Sequence, residues 1–193
     1  SNLIASTRTD SHGYWILQIP SSVHRLRFAK EGYVTKVIVT SSDTLPVKVR
    51  LLEDRFVGYL DRLWFHAGEE VTVYAHAPDN YSALLVRYGL KVEPLLDLGS
   101  HIIQQQQVPD ENFVADGLDW NPSFSFIVPA NARCGLYSVQ MRQAGSDEAV
   151  FGIPFVVTAP AIRKVGNPPL LVLASTTNWQ SYNWFGGRSR YRN

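Results

Sequence analysis

The sequence predicts a mainly β protein, with two tandem β-sandwich units followed by the first strand of an α/β domain. Three observations predict it. Apolar and polar residues alternate through most of the first 158 positions, the period of two that places successive side chains on opposite faces of a strand. Clusters of Gly, Pro, Asp and Ser interrupt that alternation at short intervals, as turns do. After Ala159 the alternation stops, and a Pro- and Gly-bearing stretch leads into an unbroken apolar run, Leu170-Leu171-Val172-Leu173-Ala174.

Composition supports packed cores and narrows the partners. The 193 residues are 45% hydrophobic and 18% charged, a balance found in folded domains rather than disordered ones. A formal net charge of +1 provides no extended field for nucleic acid or an anionic membrane. One cysteine, Cys134, excludes an intrachain disulfide framework and a Cys-rich zinc site. No window approaches the roughly 18 apolar residues of a membrane span, and no signal peptide is visible. The expectation is no nucleic acid and no membrane, with localisation left open between bacterial-type cytoplasmic and secreted. The sequence begins at Ser1, so a piece of a longer polypeptide is expected.

Residues 1–53 read as one unit. In residues 23–28, Leu26 and Phe28 are expected inside and Arg25 and Arg27 in water; Val37 and Val39 repeat the arrangement, and Val47, Val49 and Leu51 again, with Lys48 and Arg50 outside. Four short strands are expected, separated by turns at Asp10-Ser11-His12-Gly13, Pro20-Ser21-Ser22, Glu31-Gly32 and Ser41-Ser42-Asp43. The strings TRTDSHGYWILQIP and LRFAKEGYVTKVIV resemble the transthyretin-like β-sandwich of the carboxypeptidase regulatory-like domain, with its Thr-Asp-x-x-Gly turn and Lys-x-Gly-Tyr step. That module normally begins with one or two further strands, so the resemblance implies a partial copy with an accessory role and no catalytic residue.

Residues 54–158 read as a second unit. A turn at His66-Ala67-Gly68-Glu69-Glu70 launches Val71, Val73 and Ala75, with Thr72, Tyr74 and His76 on the other face; further strands are expected over 83–89 and 123–128, along Tyr137, Val139 and Met141, and along Phe151, Ile153, Phe155 and Val157. Six or more strands at this spacing suit a sandwich of immunoglobulin-like size. The irregular interval 99–121, with Gln104 to Gln107, the acidic Asp110, Glu111, Asp116 and Asp119, and Trp120, is longer than most connections, and such loops are often functional or interfacial. It is expected to pack over a neighbouring domain. Its carboxylates suit a hard cation such as calcium but lack the EF-hand pattern.

Residues 159–168, with Pro160, Gly166, Asn167 and Pro168, are a linker. The apolar run then suits a strand buried on both faces in a parallel sheet, whose carboxyl end is where open α/β sheets bind ligands. At that end stand Trp179, Tyr182 and Trp184, then Gly186-Gly187 and three arginines. The aromatic residues either form a core seam with the preceding sandwich or present the Tyr182 oxygen to a pocket, as a hydrogen-bond donor, a proton-transfer group or a metal ligand. The glycine pair lacks a phosphate-loop spacing. His12, His24, His66, His76 and His101 are scattered and read as exposed turn or strand residues. Cys134 reads as a buried structural thiol, and no serine sits in a nucleophile elbow.

The strings YSALLVRYG, CGLYSVQMR, GIPFVV and above all LLVLASTTNWQSYNWFGGRSRY resemble the large subunit of N,N-dimethylformamidase and its relatives, from about residue 55 to 193. The resemblance implies a β-sandwich ahead of an α/β domain of glutamine-amidotransferase-like fold, here residues 169–193, and a single iron bound by two tyrosines and a glutamate. It makes Tyr182 the candidate iron ligand, with Thr176, Thr177, Asn178, Trp179 and Asn183 as pocket candidates. A phenolate is a hard donor suited to ferric iron, which would activate an amide carbonyl and water. The remaining ligands are expected beyond Asn193, so iron is expected in the full-length protein and none in this stretch alone. Expected partners are the rest of the polypeptide, a second copy or a small subunit. The rival reading is a tandem-sandwich binding protein, with Trp64, Trp120 and Trp179 as platforms for a polymer or protein.

Overall fold

A computed structural model describes residues 4–18, 24–40, 48–109, 117–159, 173–176, 178 and 179. Ten strands are found there: β1 (His24–Phe28), β2 (Lys36–Thr40), β3 (Val57–Leu60), β4 (Trp64–His66), β5 (Glu70–His76), β6 (Tyr81–Tyr88), β7 (Val92–His101), β8 (Phe124–Ile127), β9 (Gly135–Gln143) and β10 (Ala149–Thr158). The protein is mainly β, as expected.

Two sheets share the main core. One has five strands in the order β4-β10-β9-β6-β7, the other three in the order β3-β5-β8. All their pairings are antiparallel except β10 with β4, where Val156, Val157 and Thr158 run parallel to Trp64, Phe65 and His66. Alternation dictates what they bury. Val71, Val73 and Ala75 from the smaller sheet meet Ala83, Leu85, Tyr137, Val139, Met141, Phe155 and Val157 from the larger one, all within 1% of complete burial. Phe155 is the hub: Phe65 meets it edge-on at 5.5 Å between ring centroids, with Tyr137 at 5.6 Å and Phe126 at 6.4 Å. Fully burying such a side chain contributes about 1.5–3 kcal/mol.

The first unit departs from expectation in extent and phase. Among its described residues only β1 and β2 pair as strands, in register from His24 opposite Thr40 to Phe28 opposite Lys36; residues 4–18 and 48–52 form no strand, and an isolated bridge joins Tyr33 to Glu53. The Asp10 turn forms as read, with the Asp10 carboxylate accepting from the His12 and Tyr14 amides and Gly13 at φ 85°. Leu26 is buried between exposed Arg25 and Arg27. In β2 the expected phase is reversed: Val37 and Val39 are exposed, whereas Lys36 and Thr40 are buried. The reason is a tertiary contact, the Lys36 ammonium donating to the Val108 carbonyl at 2.6 Å, which turns that edge inward. The expected turns at residues 20–22 and 41–43 lie outside the described residues.

In the second unit the expected strands form, and three appear that alternation did not reveal: β3, β4 and β7. Gly58 in β3 explains one of them. A Cβ there would lie 2.7 Å from the Tyr74 carbonyl oxygen and 2.9 Å from Ile153 Cδ1, so only glycine lets β3 press against both β5 and the β10 core residue. Overpacking of this kind costs about 1–3 kcal/mol. Gly58→Ala is therefore expected to lower the unfolding free energy by about that amount, seen as a lower urea midpoint at an unchanged m-value, and an unaltered midpoint would show that β3 is free to shift.

Candidate functional site

The three-stranded sheet has a second apolar face. Val57 and Tyr59 of β3 and Tyr74 and His76 of β5 point away from the main core, and Tyr59 stacks flat on Tyr74 at 4.9 Å. A strap formed by residues 104–109 and 117–121 covers them. Val108 and Trp120 from the strap, with Val34 and Leu52 from the N-terminal part, complete a second buried cluster with Val57. The long interval, expected to pack over a neighbouring domain, reaches residues of the N-terminal part: besides the Lys36 contact, Gln107 Nε2 donates to the Thr35 carbonyl at 3.2 Å.

Polar side chains fix the strap. Gln106, 5% exposed, donates through Nε2 to the carbonyls of Asn121 (2.8 Å) and Ala75 (3.3 Å), and its Oε1 accepts from the Asn121 amide. Trp120 Nε1 donates to the Gln107 carbonyl at 2.8 Å. Beneath them lies His76, with no exposed surface, which corrects the expectation of an exposed strand histidine. Its Nδ1 accepts from the Gln106 amide at 3.0 Å and its Nε2 donates to Asp54 Oδ1 at 3.1 Å. Burial lowers the His76 pKa, and the Asp54 contact opposes this only in part. The neutral imidazole thus has both nitrogens committed, leaving neither to bind a metal or take a substrate proton.

Beside the strap opens a cavity of about 450 Å3 lined by Lys36, Gln105, Gln107, Leu118, Asp119 and Asn121, among others. Its walls offer an ammonium, a carboxylate and amides, a set that holds polar groups but contains no nucleophile with its base. Asp119 adopts φ 50°, the left-handed region that aspartate tolerates better than most residues. The other acidic residues considered for calcium, Asp110, Glu111 and Asp116, lie outside the described residues. Among the described residues no group of three or more His, Cys, Asp or Glu stands ready for a metal.

The end segment is described in part. Leu173, Ala174 and Ser175 fall in no strand, and the rest of the expected strand lies outside the described residues. One helical turn brings Thr176, Asn178 and Trp179 together: the Asn178 and Trp179 amides donate to the Ser175 carbonyl at 3.0 and 3.2 Å. Thr177, Tyr182 and Asn183 lie outside the described residues. Of the tryptophans read as platforms, Trp64 is half-exposed beside Arg62, whereas Trp120 is buried in the strap. Cys134 is exposed, not buried, because it stands in the turn before β9 rather than on a core-facing position.

Three tyrosines of the β layers are harder to ionise than an exposed one. Burial raises the pKa of Tyr59 and Tyr137, and raises that of Tyr81 to about 12. The Tyr137 hydroxyl donates to the Arg133 carbonyl at 2.6 Å.

A further feature is a row across the back of the five-stranded sheet. The pairings Trp64 with Val156, Val156 with Leu136, Leu136 with Tyr88 and Tyr88 with Val92 align one apolar side chain from every strand on the face opposite the core. Trp64, Leu136, Tyr88 and Val92 are each 37–53% exposed.

Residues 89–193 match the family model described as N,N-dimethylformamidase beta subunit-like, C-terminal. The match takes in more than half of the chain, which therefore belongs to this family. It begins at the turn between β6 and β7, takes in β7 to β10 and runs through the aromatic end segment; residues 1–88, with the carboxypeptidase regulatory-like resemblance, lie outside it. No curated protein matches the chain, and no solved structure does.

The neutral Tyr81 phenol favours the fold below its free value near 10, and that contribution disappears as pH rises through about 12. In an alkaline absorbance titration one tyrosine is expected to ionise far later than the rest, and Tyr81→Phe is expected to remove that step. A last step retained in the variant would show that Tyr81 is not its origin.

Proposed function

We propose that this chain is the β-rich, largely non-catalytic front of an N,N-dimethylformamidase-like amide hydrolase. In this reading the two β units support a metal-dependent catalytic α/β domain that opens at about residue 169, after a linker over residues 159–168. The supporting observation, beyond family membership, is the apolar row from Trp64 to Val92 on the outer face of the five-stranded sheet. A row of this kind, one side chain per strand, offers a ready seat for an apolar helix face, and β10 delivers the chain beside it: Val156 of the row stands three positions before Ala159, roughly 10 Å of extended chain. The polymer-binding alternative loses one of its platforms with the burial of Trp120.

In the catalytic domain Tyr182 is our candidate for one iron ligand, with Thr176, Thr177, Asn178, Trp179 and Asn183 at the pocket. Iron there would supply Lewis-acid activation of the amide carbonyl. The β layers would position the segment that carries these residues and shield it from water.

Two measurements on the full-length protein test this. Tyr182→Phe is expected to lower bound iron per chain, and unchanged iron content removes Tyr182 from the ligand set. Leu136→Lys combined with Tyr88→Lys is expected to separate one cooperative thermal transition into two and to lower turnover of linear amides. A full-length protein that holds iron but hydrolyses no amide would leave the family membership and overturn the activity.

A further inference from the structure

We propose that His76 is a proton-operated latch, in which protonation of its Nδ1 releases the strap at Gln106 and opens the seam between the N-terminal part and the three-stranded sheet. The geometry leaves the imidazole no neutral alternative. A backbone N–H can only donate, so the Gln106 amide at 3.0 Å requires an unprotonated Nδ1, and the single ring proton sits on Nε2, facing Asp54 at 3.1 Å. A second proton makes the imidazolium a better partner for Asp54, since the contact becomes a charged pair. The same proton sets two donors against each other between His76, which has no exposed surface, and Gln106, which is 5% exposed. An unmade buried hydrogen bond is costly, so the side that yields is the strap.

What the latch controls follows from the remaining bonds of Gln106. Its side chain ties the two arms of the strap together at Asn121 and pins them to the Ala75 carbonyl. Trp120, hung from the neighbouring Gln107 carbonyl, precedes Asn121, which Gln106 binds, and Val108, which holds Lys36, is two residues from Gln106. Loss of the Gln106 amide bond therefore loosens the lid of the second buried cluster and one wall of the adjoining cavity together.

The charged groups around His76 favour this division. Asp54, from the segment before β3, is the described carboxylate in contact; its neighbours Glu53 and Arg55 pair with each other at 2.8 Å. From β3 and β5 come Tyr59 and Tyr74, from the strap Gln106, Trp120 and, at the cavity, Asp119, and from β2 Lys36, whose ammonium already holds Val108. Because burial lowers the His76 pKa, the latched form keeps its full contribution above the free value of about 6.5 and loses it as pH falls below that. His101 has a lowered pKa for the same reason. It lies elsewhere, between Tyr81 and Phe124, with Nε2 donating to the Leu98 carbonyl, a bond that survives protonation of the ring and does not involve the strap.

Amide hydrogen exchange on the intact protein, taken relative to free-peptide rates, tests the latch between about pH 7.5 and 5.5, on either side of the free imidazole value. Protection of Gln106 and Gln107 is expected to fall by up to tenfold per pH unit once the proton begins to bind, while β6 and β9 stay protected. In His76→Gln the amide oxygen can accept from Gln106 and the amide nitrogen can donate to Asp54, so strap protection is expected to remain constant across the range. Ring-nitrogen NMR shifts of the unmodified protein give a readout that requires no variant: the Nε2–H tautomer is expected at neutral pH. An Nδ1–H tautomer, a strap whose protection follows that of β6 and β9, or an acid-sensitive strap in a folded His76→Gln protein each overturns the latch.

Discussion

The three-stranded sheet must be covered on both faces, and most of the structure answers that requirement. One face packs on the larger sheet through Val71, Val73 and Ala75. The other presents Tyr59, Tyr74 and Val57, too much apolar surface for a solvated side. The strap and the N-terminal part close it. Because the cover is made of irregular backbone, its amides and carbonyls need partners, and Gln106, Trp120, Lys36 and His76 supply them. These polar residues are thus buried as a consequence of an aromatic sheet face, which explains why the second cluster is rich in side chain to backbone bonds.

How much of this was legible depended on whether a neighbour or the chain itself set the burial. Strands β5, β9 and β10 could be read because each carries an unbroken apolar alternation against one core. Strand β7 could not: Pro94, Asp97 and Gly99 break the pattern, and its long exposed edge hides from any hydropathy argument. β4 has only three residues, with its reason for existing at the far end of the unit in β10. The reversed phase of β2 and the burial of His76 both came from the strap, a partner more than 25 positions away in either case. Nothing local distinguishes a histidine that will be roofed from one that will not.

The candidate site divides in the same way. The aromatic end segment was conspicuous by composition and resemblance, and it falls within the stretch that matches the family model. The strap, equally polar in sequence, gave only its length as a signal. Nothing in its glutamines signalled burial, yet Gln106 is among the few buried polar residues of the described part. Within the β layers burial makes Tyr59, Tyr81 and Tyr137 harder to ionise, His76 is engaged at both ring nitrogens, and Cys134 is exposed at a turn.

The parallel pairing of β4 with β10 has a consequence in time. It joins His66 to Thr158 across 92 positions, and among the described residues β4 has no other sheet partner. Contacts of such separation form late, since the intervening loop must be ordered first. Until β10 has left the ribosome the larger sheet is therefore limited to β9, β6 and β7, and β10 then brings in β4 as the edge strand.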